Sequence, residues 1–262
     1  MIKNILALAG TALLFLSGCG SHPKNGLKVA ATPVPHAQML EFIKPDLKEK
    51  GIDLIIITTD DYNMPNRALA EKEVDANFFQ HIPFMELQIK EFNYPIQSDG
   101  KIEIEPMGIY SKKIKSLSDL KNNAVIAIPN DPSNEGRALL LLQSQGIIQL
   151  DDPNNLKATI WNIKQNPKQL KIFEVDAAML PRSLQDVDAA VINTNYALEA
   201  NLNPLKDALV LESKDSPYAN ILAIRIGDEN RPDIQALKEA LTSEKMAQFI
   251  LNQYKGAVLP AF

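Results

Sequence analysis

The chain has 262 residues, of which 45% are hydrophobic, and 27 basic against 32 acidic residues give it a formal net charge of -5. A mildly acidic chain without a basic run is not expected to bind nucleic acid. Its single cysteine excludes an intrachain disulfide, and its length is sufficient for one large or two smaller hydrophobic cores.

The beginning of the chain is predicted to be a targeting segment. Lys3 is followed by an apolar run over residues 5–16 and then by Ser-Gly-Cys. This order is typical of a signal peptide, here residues 1–18, and the run is too short for a permanent membrane span. Because the last residues resemble a bacterial lipobox, we expect Cys19 to carry lipid and anchor the protein to a membrane. Residues 19–26 are polar and predict a flexible tether.

From residue 27 the hydrophobic pattern alternates between strand and helix periods. Predicted strands cover residues 27–32, 52–59, 76–79, 101–112, 124–128, 171–175, 189–193 and 208–226. Predicted helices cover residues 36–50, 65–74, 82–92, 116–121, 135–146, 183–185 and 231–254. Repeated strand–helix units indicate an α/β fold with parallel strands. The β-branched run 52–59 favours a strand buried on both faces.

Two long extended segments, 101–112 and 208–226, interrupt this rhythm. They indicate a second domain inserted into the first, with domain 1 formed by residues 27–108 and 224–262 and domain 2 by residues 109–223. In such an arrangement the ligand lies in the cleft, at the carboxyl ends of strands from both domains.

The stretch from Pro129 to Gly136 predicts a strand, a polar loop and a helix start in succession. Ser133 or Asn134 can cap the helix, whose free N–H groups concentrate partial positive charge at one point. Arg137 adds a planar cation that matches a carboxylate. On local grounds alone, an ordinary strand-to-helix turn with a solvated arginine is the simpler interpretation.

Several motifs along the chain favour a ligand-binding role for this stretch over an ordinary turn. They are Asp61-Tyr62 with Pro65-Asn66-Arg67-Ala68-Leu69, Asp75-Ala76-Asn77-Phe78-Phe79-Gln80-His81, Gly108-Ile109-Tyr110-Ser111, Pro129 through Leu139, Ile192-Asn193 and Ser216-Pro217-Tyr218-Ala219-Asn220. In this order they resemble the methionine-binding lipoproteins of the NlpA/MetQ family, the substrate-binding components of methionine ABC importers. The resemblance implies a two-lobed periplasmic binding protein fold, type II-like, that closes on its ligand by a hinge.

The resemblance also implies which residues bind the head group of the ligand. Arg137 would pair with the α-carboxylate, and the amides of Asn193 and Asn220 would bind the amino-acid head group. Each amide also has a purely structural interpretation, because Asn193 ends a strand and Ser216–Tyr218 is typical of a turn.

Four further residues, Tyr62, Phe79, His81 and Phe84, would wall the side-chain pocket, since aromatic rings hold a thioether favourably. Phe79 and His81 share parity along a strand and can therefore face the same way. A lone histidine is more often structural, so His81 is included through the resemblance. Phe84 stands where the family more often has tyrosine, which leaves L-methionine, D-methionine and a methionine dipeptide as alternatives.

The implied partners are methionine, the permease and ATPase of the transporter, and the membrane that holds the lipid anchor. The protein is expected to be a monomer facing the periplasm or cell exterior.

The chain has no HExxH, G-x-S-x-G or G-x-x-x-x-G-K motif, and we expect no enzyme activity, metal or cofactor. A surface lipoprotein that acts as an adhesin by binding a protein partner is the alternative.

Overall fold

The structure is a computed structural model that describes residues 26–262. The predicted signal peptide, Cys19 and most of the predicted tether lie outside the described residues. Within the described part of the chain, none of the helices combines the length and the apolar character needed to cross a membrane.

The described chain alternates strands and helices. The strands are Leu27–Ala31 (β1), Leu54–Thr58 (β2), Ala76–His81 (β3), Ile96–Ile104 (β4), Gly108–Tyr110 (β5), Val125–Pro129 (β6), Gln149–Leu150 (β7), Ile163–Gln165 (β8), Lys171–Val175 (β9), Ala189–Ile192 (β10), Ala208–Leu211 (β11), Ala219–Arg225 (β12) and Leu259–Pro260 (β13). The helices are Gln38–Glu49 (α1), Met64–Ala70 (α2), Ile82–Phe92 (α3), Pro132–Ser144 (α4), Leu180–Ser183 (α5), Thr194–Glu199 (α6), Pro204–Asp207 (α7), Pro232–Leu241 (α8) and Glu244–Tyr254 (α9).

Two separate sheets organise these elements into two lobes. The first lobe contains a six-stranded sheet in the order β13-β4-β12-β3-β1-β2, and the second a five-stranded sheet in the order β11-β5-β10-β6-β9. Strand β1 pairs in parallel with β2 and β3, while β12 runs antiparallel between β3 and β4. In the second sheet β6 pairs in parallel with β9 and β10, and β5 is antiparallel to β10. The predicted two-lobed α/β fold is therefore confirmed.

Each lobe has its own apolar core, built by the periodicity seen in the sequence. Helix α1 buries Met39, Leu40, Ile43 and Leu47, which recur at helical spacing, against the six-stranded sheet. Fully burying one such side chain stabilises the fold by about 1.5–3 kcal/mol. A second core in the other lobe gathers the leucines of α4 with strands β6 and β10.

The β2 prediction is correct in position but wrong in burial. Ile55 is 36% exposed, because β2 is the outermost strand of its sheet and pairs only with β1. A β-branched run therefore indicates a strand, but it does not tell an edge strand from a central one.

Each of the two predicted long strands is divided into two strands that belong to different sheets. The first breaks between β4 and β5, where Pro106 cannot donate a ladder hydrogen bond, and the second breaks between β11 and β12. These are the two places where the chain passes between lobes. All of Ala219–Arg225 pairs in the six-stranded sheet, so the predicted boundary at residue 223 falls inside β12. We propose instead that domain 2 ends before Ala219.

The predicted helix over residues 231–254 is two helices, α8 and α9. The second begins after Ser243, whose hydroxyl accepts a hydrogen bond of 3.1 Å from the backbone N–H of Met246. A side chain that caps a free N–H in this way starts a new helix rather than continuing the previous one.

Helix α4 begins earlier than predicted and has a different cap. Asp131, not Ser133 or Asn134, is the N-cap, and its Oδ1 accepts the backbone N–H of Asn134 at 3.0 Å. Pro132 occupies the first turn, where its missing N–H has no helical partner to lose. The N–H groups of Asn134 and Glu135 are thus bonded to Asp131 within the protein rather than left free for a ligand.

Gly136 allows a loop of the second lobe to pack closely on α4. A Cβ at this position would overlap the carbonyl oxygen of Leu156 and would lie 3.1 Å from the backbone nitrogen of Ala158. The absence of a side chain is therefore required by a close approach of backbone. This contact holds the turn of α4 that carries Arg137.

Candidate ligand-binding site

Residues from both lobes line a pocket between them. It is lined by all seven predicted site residues, Tyr62, Phe79, His81, Phe84, Arg137, Asn193 and Asn220. The lining is completed by Gln80, Glu105, Asn134, Thr194 and Asn195. The structure thus brings the predicted residues together, and their contact with a ligand stays a prediction.

Some of the additional residues had a recognisable signal in the sequence. Thr194 and Asn195 continue the polar run that begins with Asn193 directly after the apolar strand β10. Such residues lie at the carboxyl edge of a sheet, where ligands bind. Glu105 had no such signal, because it lies inside an extended stretch that reads as one strand.

Aromatic rings from the first lobe form an apolar wall. Phe79 lies within β3, Phe84 lies in the first turn of α3, and Tyr62 lies in the loop after β2. The ring centroids are 5.8 Å apart for Tyr62 and Phe79, 5.9 Å for Tyr62 and Phe84, and 5.8 Å for Phe79 and Phe84. These tilted and edge-to-face arrangements are favourable for aromatic pairs. The wall can hold an apolar or thioether side chain.

His81 is buried and neutral. Its Nδ1 accepts the backbone N–H of Phe84 at 3.2 Å, so its Nε2 carries the hydrogen and donates to Oδ1 of Asn134 at 3.2 Å. Burial, helped by the positive charge of Arg137, lowers the pKa of His81 to about 3. His81 therefore joins the two lobes as a neutral donor and also packs against the aromatic wall.

Asn134 orients the amide of Asn193. Its Nδ2 donates to both carboxylate oxygens of Asp131, which assigns Oδ1 as the acceptor that faces His81 and Asn193. Nδ2 of Asn193 donates to that Oδ1 at 2.9 Å. Oδ1 of Asn193 is then buried with no hydrogen-bond partner among residues 26–262.

A second buried atom in the pocket also lacks a partner. Oδ1 of Asn195 accepts a hydrogen bond of 2.6 Å from the hydroxyl of Tyr62 in the opposite lobe. The Nδ2 of Asn195 therefore faces away from Tyr62. That Nδ2 is buried without a partner in the described part of the chain. A buried polar atom left unpaired costs about 1–3 kcal/mol. An acceptor on Asn193 and a donor on Asn195 are therefore both ready to bind a polar ligand.

Arg137 is held by a carboxylate and an aromatic ring. Its Nε and Nη2 donate to the carboxylate of Glu212, with Nη2 at 2.6 Å from Oε2, and Nη2 also donates to the carbonyl oxygen of Glu105 at 2.7 Å. Its guanidinium carbon lies 4.5 Å from the centre of the Tyr218 ring, a cation–π geometry. Within residues 26–262 its Nη1 makes no hydrogen bond and is available to a ligand.

Asn220 lies within β12 rather than in a turn, and a buried ionisable cluster surrounds its amide. Its Nδ2 is 2.8 Å from Oε1 of Glu103, 3.1 Å from Oε1 of Glu105 and 3.2 Å from Nε2 of His36. His36 Nε2 is itself 3.1 Å from Glu103 and 3.2 Å from Glu105. We call His36, Glu103, Glu105 and Asn220 the glutamate cluster.

The glutamate cluster contains three groups of the kind that bind metals, which the sequence motifs did not indicate. The fourth group is an amide nitrogen, which places hydrogen atoms where a cation needs lone pairs. This arrangement suits a hydrogen-bonded cluster. Burial raises the pKa of Glu103 to about 7, and burial together with the neighbouring Glu103 raises the pKa of Glu105.

Comparison with known proteins identifies the family. The family model described as NlpA lipoprotein matches residues 27–262. The chain belongs to the NlpA lipoprotein family. Among its curated relatives, the methionine-binding lipoprotein MetQ of Bacillus subtilis is 44% identical over 96% of this chain and 97% of its own length. The D-methionine-binding lipoprotein MetQ of Salmonella typhi is 42% identical over 97% of this chain and 94% of its own length.

Solved structures match the fold as well. A nutrient binding protein from Burkholderia cenocepacia bound to methionine superimposes with a TM-score of 0.87 at 48% identity. The match covers 90% of this chain and 100% of that one. The family resemblance expected from the sequence motifs is confirmed.

Proposed function

We propose that this protein is the substrate-binding lipoprotein of an ABC importer and that it binds methionine between its lobes. The observation that carries this proposal is the make-up of the pocket. An apolar aromatic wall faces a buried acceptor and a buried donor that both lack protein partners. An amino acid with an uncharged side chain supplies the complementary groups, since it has an ammonium, a carboxylate and an apolar tail.

The head group has a distinct partner for each charge. The carboxylate accepts from Nη1 of Arg137, whose other nitrogens are fixed by Glu212, and from Nδ2 of Asn195. The ammonium donates to Oδ1 of Asn193 and to the carboxylate of Glu105. Desolvating either charge of the ligand without a partner costs several kcal/mol, so matched partners select a free amino acid.

The side chain of methionine extends toward Tyr62, Phe79 and Phe84. Burying it against these rings contributes roughly 1.5–3 kcal/mol, and the sulfur makes favourable contacts with the ring edges. A charged side chain would lose its hydration here without gaining an ion pair.

Binding serves delivery to the permease and ATPase of the transporter. A lipid-anchored monomer at the membrane surface keeps the ligand close to the permease. Hydrogen bonds between the lobes, such as Tyr62 to Asn195 and His81 to Asn134, close the pocket around the ligand. The names of the relatives cited above, lipoproteins that bind methionine, support this assignment.

Titration calorimetry with L-methionine, D-methionine and L-glutamate tests the proposal. Methionine is expected to bind one site tightly, and L-glutamate is expected to give no heat. Arg137→Ala should weaken methionine binding by two or more orders of magnitude, equivalent to about 3 kcal/mol. Asn193→Ala should also weaken binding while the melting temperature of the apo protein stays nearly unchanged.

Arg182→Ala is the matched control, because Arg182 is exposed and does not line the pocket. Its affinity should equal that of the wild type. Wild-type affinity in Arg137→Ala would show that the carboxylate is held elsewhere. Absence of methionine binding by the purified wild-type protein would overturn the proposed function.

A further inference from the structure

The glutamate cluster lies at the floor of the pocket and is almost sealed from solvent. His36 and Glu103 are 0% exposed and Glu105 is 5% exposed. Glu105 lines the pocket, whereas Glu103 lies behind it. Nδ1 of His36 is hydrogen-bonded to Thr32, so its Nε2 is the ring atom that faces both carboxyl groups.

The chemistry of the cluster indicates that it holds one dissociable proton. Nitrogen and oxygen atoms that carry lone pairs, such as those of this cluster, repel each other at hydrogen-bond distance unless a hydrogen atom lies between them. Asn220 brings its amide hydrogens, and neutral His36 brings one ring hydrogen. With both glutamates ionised, the cluster would carry two buried negative charges beside a single neutral imidazole, which burial strongly disfavours. Arg137 offsets these charges only in part, because burial still raises the pKa of both glutamates and the guanidinium is paired with Glu212.

Other ionisable groups near the cluster do not replace this proton. His81 is neutral above about pH 4, given its pKa of about 3. Burial raises the pKa of Asp131, which is hydrogen-bonded to Asn134 and Ser133. The remaining ionisable groups that face the two glutamates are the phenols Tyr62, Tyr110 and Tyr254 and the cation Arg137 with its partner Glu212. Phenols remain neutral at the pH values at which a carboxyl group titrates.

We propose that Glu103 is a positioning residue for the amino group of the ligand: it shares one proton with Glu105, and the arriving ammonium displaces that proton. This inference rests on the proposed function. The O–H bond of the carboxylic acid breaks, its proton leaves to solvent, and an N–H···O hydrogen bond from the ligand ammonium to the Glu105 carboxylate replaces it. One positive charge substitutes for another, so the buried cluster keeps its charge balance.

The sign of the pH dependence follows from this exchange. At pH values where the free protein holds the proton and the complex does not, each ligand bound releases one proton. Protons then compete with the ligand, and Kd rises up to tenfold for each unit by which the pH falls. Above the pH at which the free protein loses the proton, Kd becomes independent of pH.

Calorimetry of wild-type protein with L-methionine tests this without any variant. At about pH 6, the binding enthalpy is measured in buffers of different ionisation enthalpy, whose slope counts the protons exchanged. We expect close to one proton released per ligand and a Kd that rises as the pH is lowered. A binding enthalpy independent of buffer, with a Kd that is flat from about pH 5 to about pH 8, would overturn the inference while leaving methionine binding intact.

Two isosteric variants assign the proton. The amide in Glu105→Gln has no such proton to release. This variant should therefore bind L-methionine more weakly, with a binding enthalpy that is independent of buffer. Glu103→Gln removes the like charge beside Glu105, so the pH at which affinity begins to fall should move lower. Glu239→Gln, at an exposed position, should behave as wild type. An unchanged pH profile in Glu103→Gln, or stoichiometric binding of Zn²⁺ alone that His36→Ala abolishes, would contradict the assignment.

Discussion

Arg137 and Glu212 form a buried bidentate ion pair across 75 residues of sequence, and this pair presents the guanidinium to the pocket. The side chains are 4% and 11% exposed, so both charges are largely removed from water. Two nitrogens of Arg137 are fixed by Glu212 and one remains for a ligand. The arginine is thus oriented by the protein before any ligand arrives, which reduces the ordering cost of binding.

The first prediction concerns the stability that depends on this pair. Glu212→Leu should lower the free energy of unfolding by about 3–5 kcal/mol, because Arg137 would be left as an unpaired buried charge. Denaturant unfolding of the apo protein, followed by circular dichroism, measures this. The double variant Arg137→Met/Glu212→Leu should recover most of the loss, since two apolar side chains of similar size need no partner.

The exposed pair Lys50–Glu239 provides the control for this measurement. The Glu239 side chain is 71% exposed, and Glu239→Leu should change stability by no more than about 1 kcal/mol. Equal effects of Glu212→Leu and Glu239→Leu would mean that the Arg137–Glu212 pair is solvated in solution.

The second prediction concerns the aromatic wall. Phe79→Ala should weaken methionine binding by an amount on the order of 1.5–3 kcal/mol, because the side chain of the ligand loses apolar burial. Titration calorimetry measures the change, and a thermal melt verifies that the variant is folded. Phe92, which is 49% exposed at the end of α3, supplies the control Phe92→Ala. Unchanged affinity in Phe79→Ala would place this ring outside the ligand contact.

The third prediction concerns the pH dependence of stability through His81. Because its pKa is lowered from 6.5 to about 3 in the folded protein, the unfolded chain takes up a proton first as the pH falls. The stabilisation is fully present above about pH 6.5 and decreases by about 1.4 kcal/mol for each pH unit between about 6.5 and about 3. Relative to His81→Gln, the wild type should lose about 3 kcal/mol between pH 7 and pH 4.

Denaturant unfolding of both proteins across this pH range measures the difference, and groups common to both cancel in it. Parallel stability curves would show that His81 titrates in the folded protein as it does in the unfolded chain.

The fourth prediction concerns the membrane anchor. Cys19→Ser should release the protein from membranes or leave an unprocessed precursor, because the lipid attachment site is lost. Cell fractionation and labelling with a radioactive fatty acid measure the two outcomes. Ser17→Ala keeps the cysteine and should remain membrane-bound. A lipid-labelled mature band in Cys19→Ser would contradict the predicted lipobox.

The sequence by itself determined which elements form. The bounds of α3 at Ile82–Phe92 and of β9 at Lys171–Val175 agree with the prediction, because helix and strand periods are local properties of the chain. Phe79 and His81, which share parity along β3, both line the pocket, but Gln80 between them lines it as well, so parity alone does not explain the placement. The seven predicted pocket residues came from motifs that resemble a family, and they do lie together.

Only the tertiary structure decided which distant groups meet. Glu212 reaches Arg137 across 75 residues, and Asn220 reaches His36 across 184. Hydrophobic periodicity does not indicate either pairing, because strand order and the crossings between sheets determine which side chains contact each other. The same reason explains why residues 101–112 read as one strand although Glu105 lies where the chain leaves one sheet for the other. A charge buried at such a crossing is visible only once both lobes are in place.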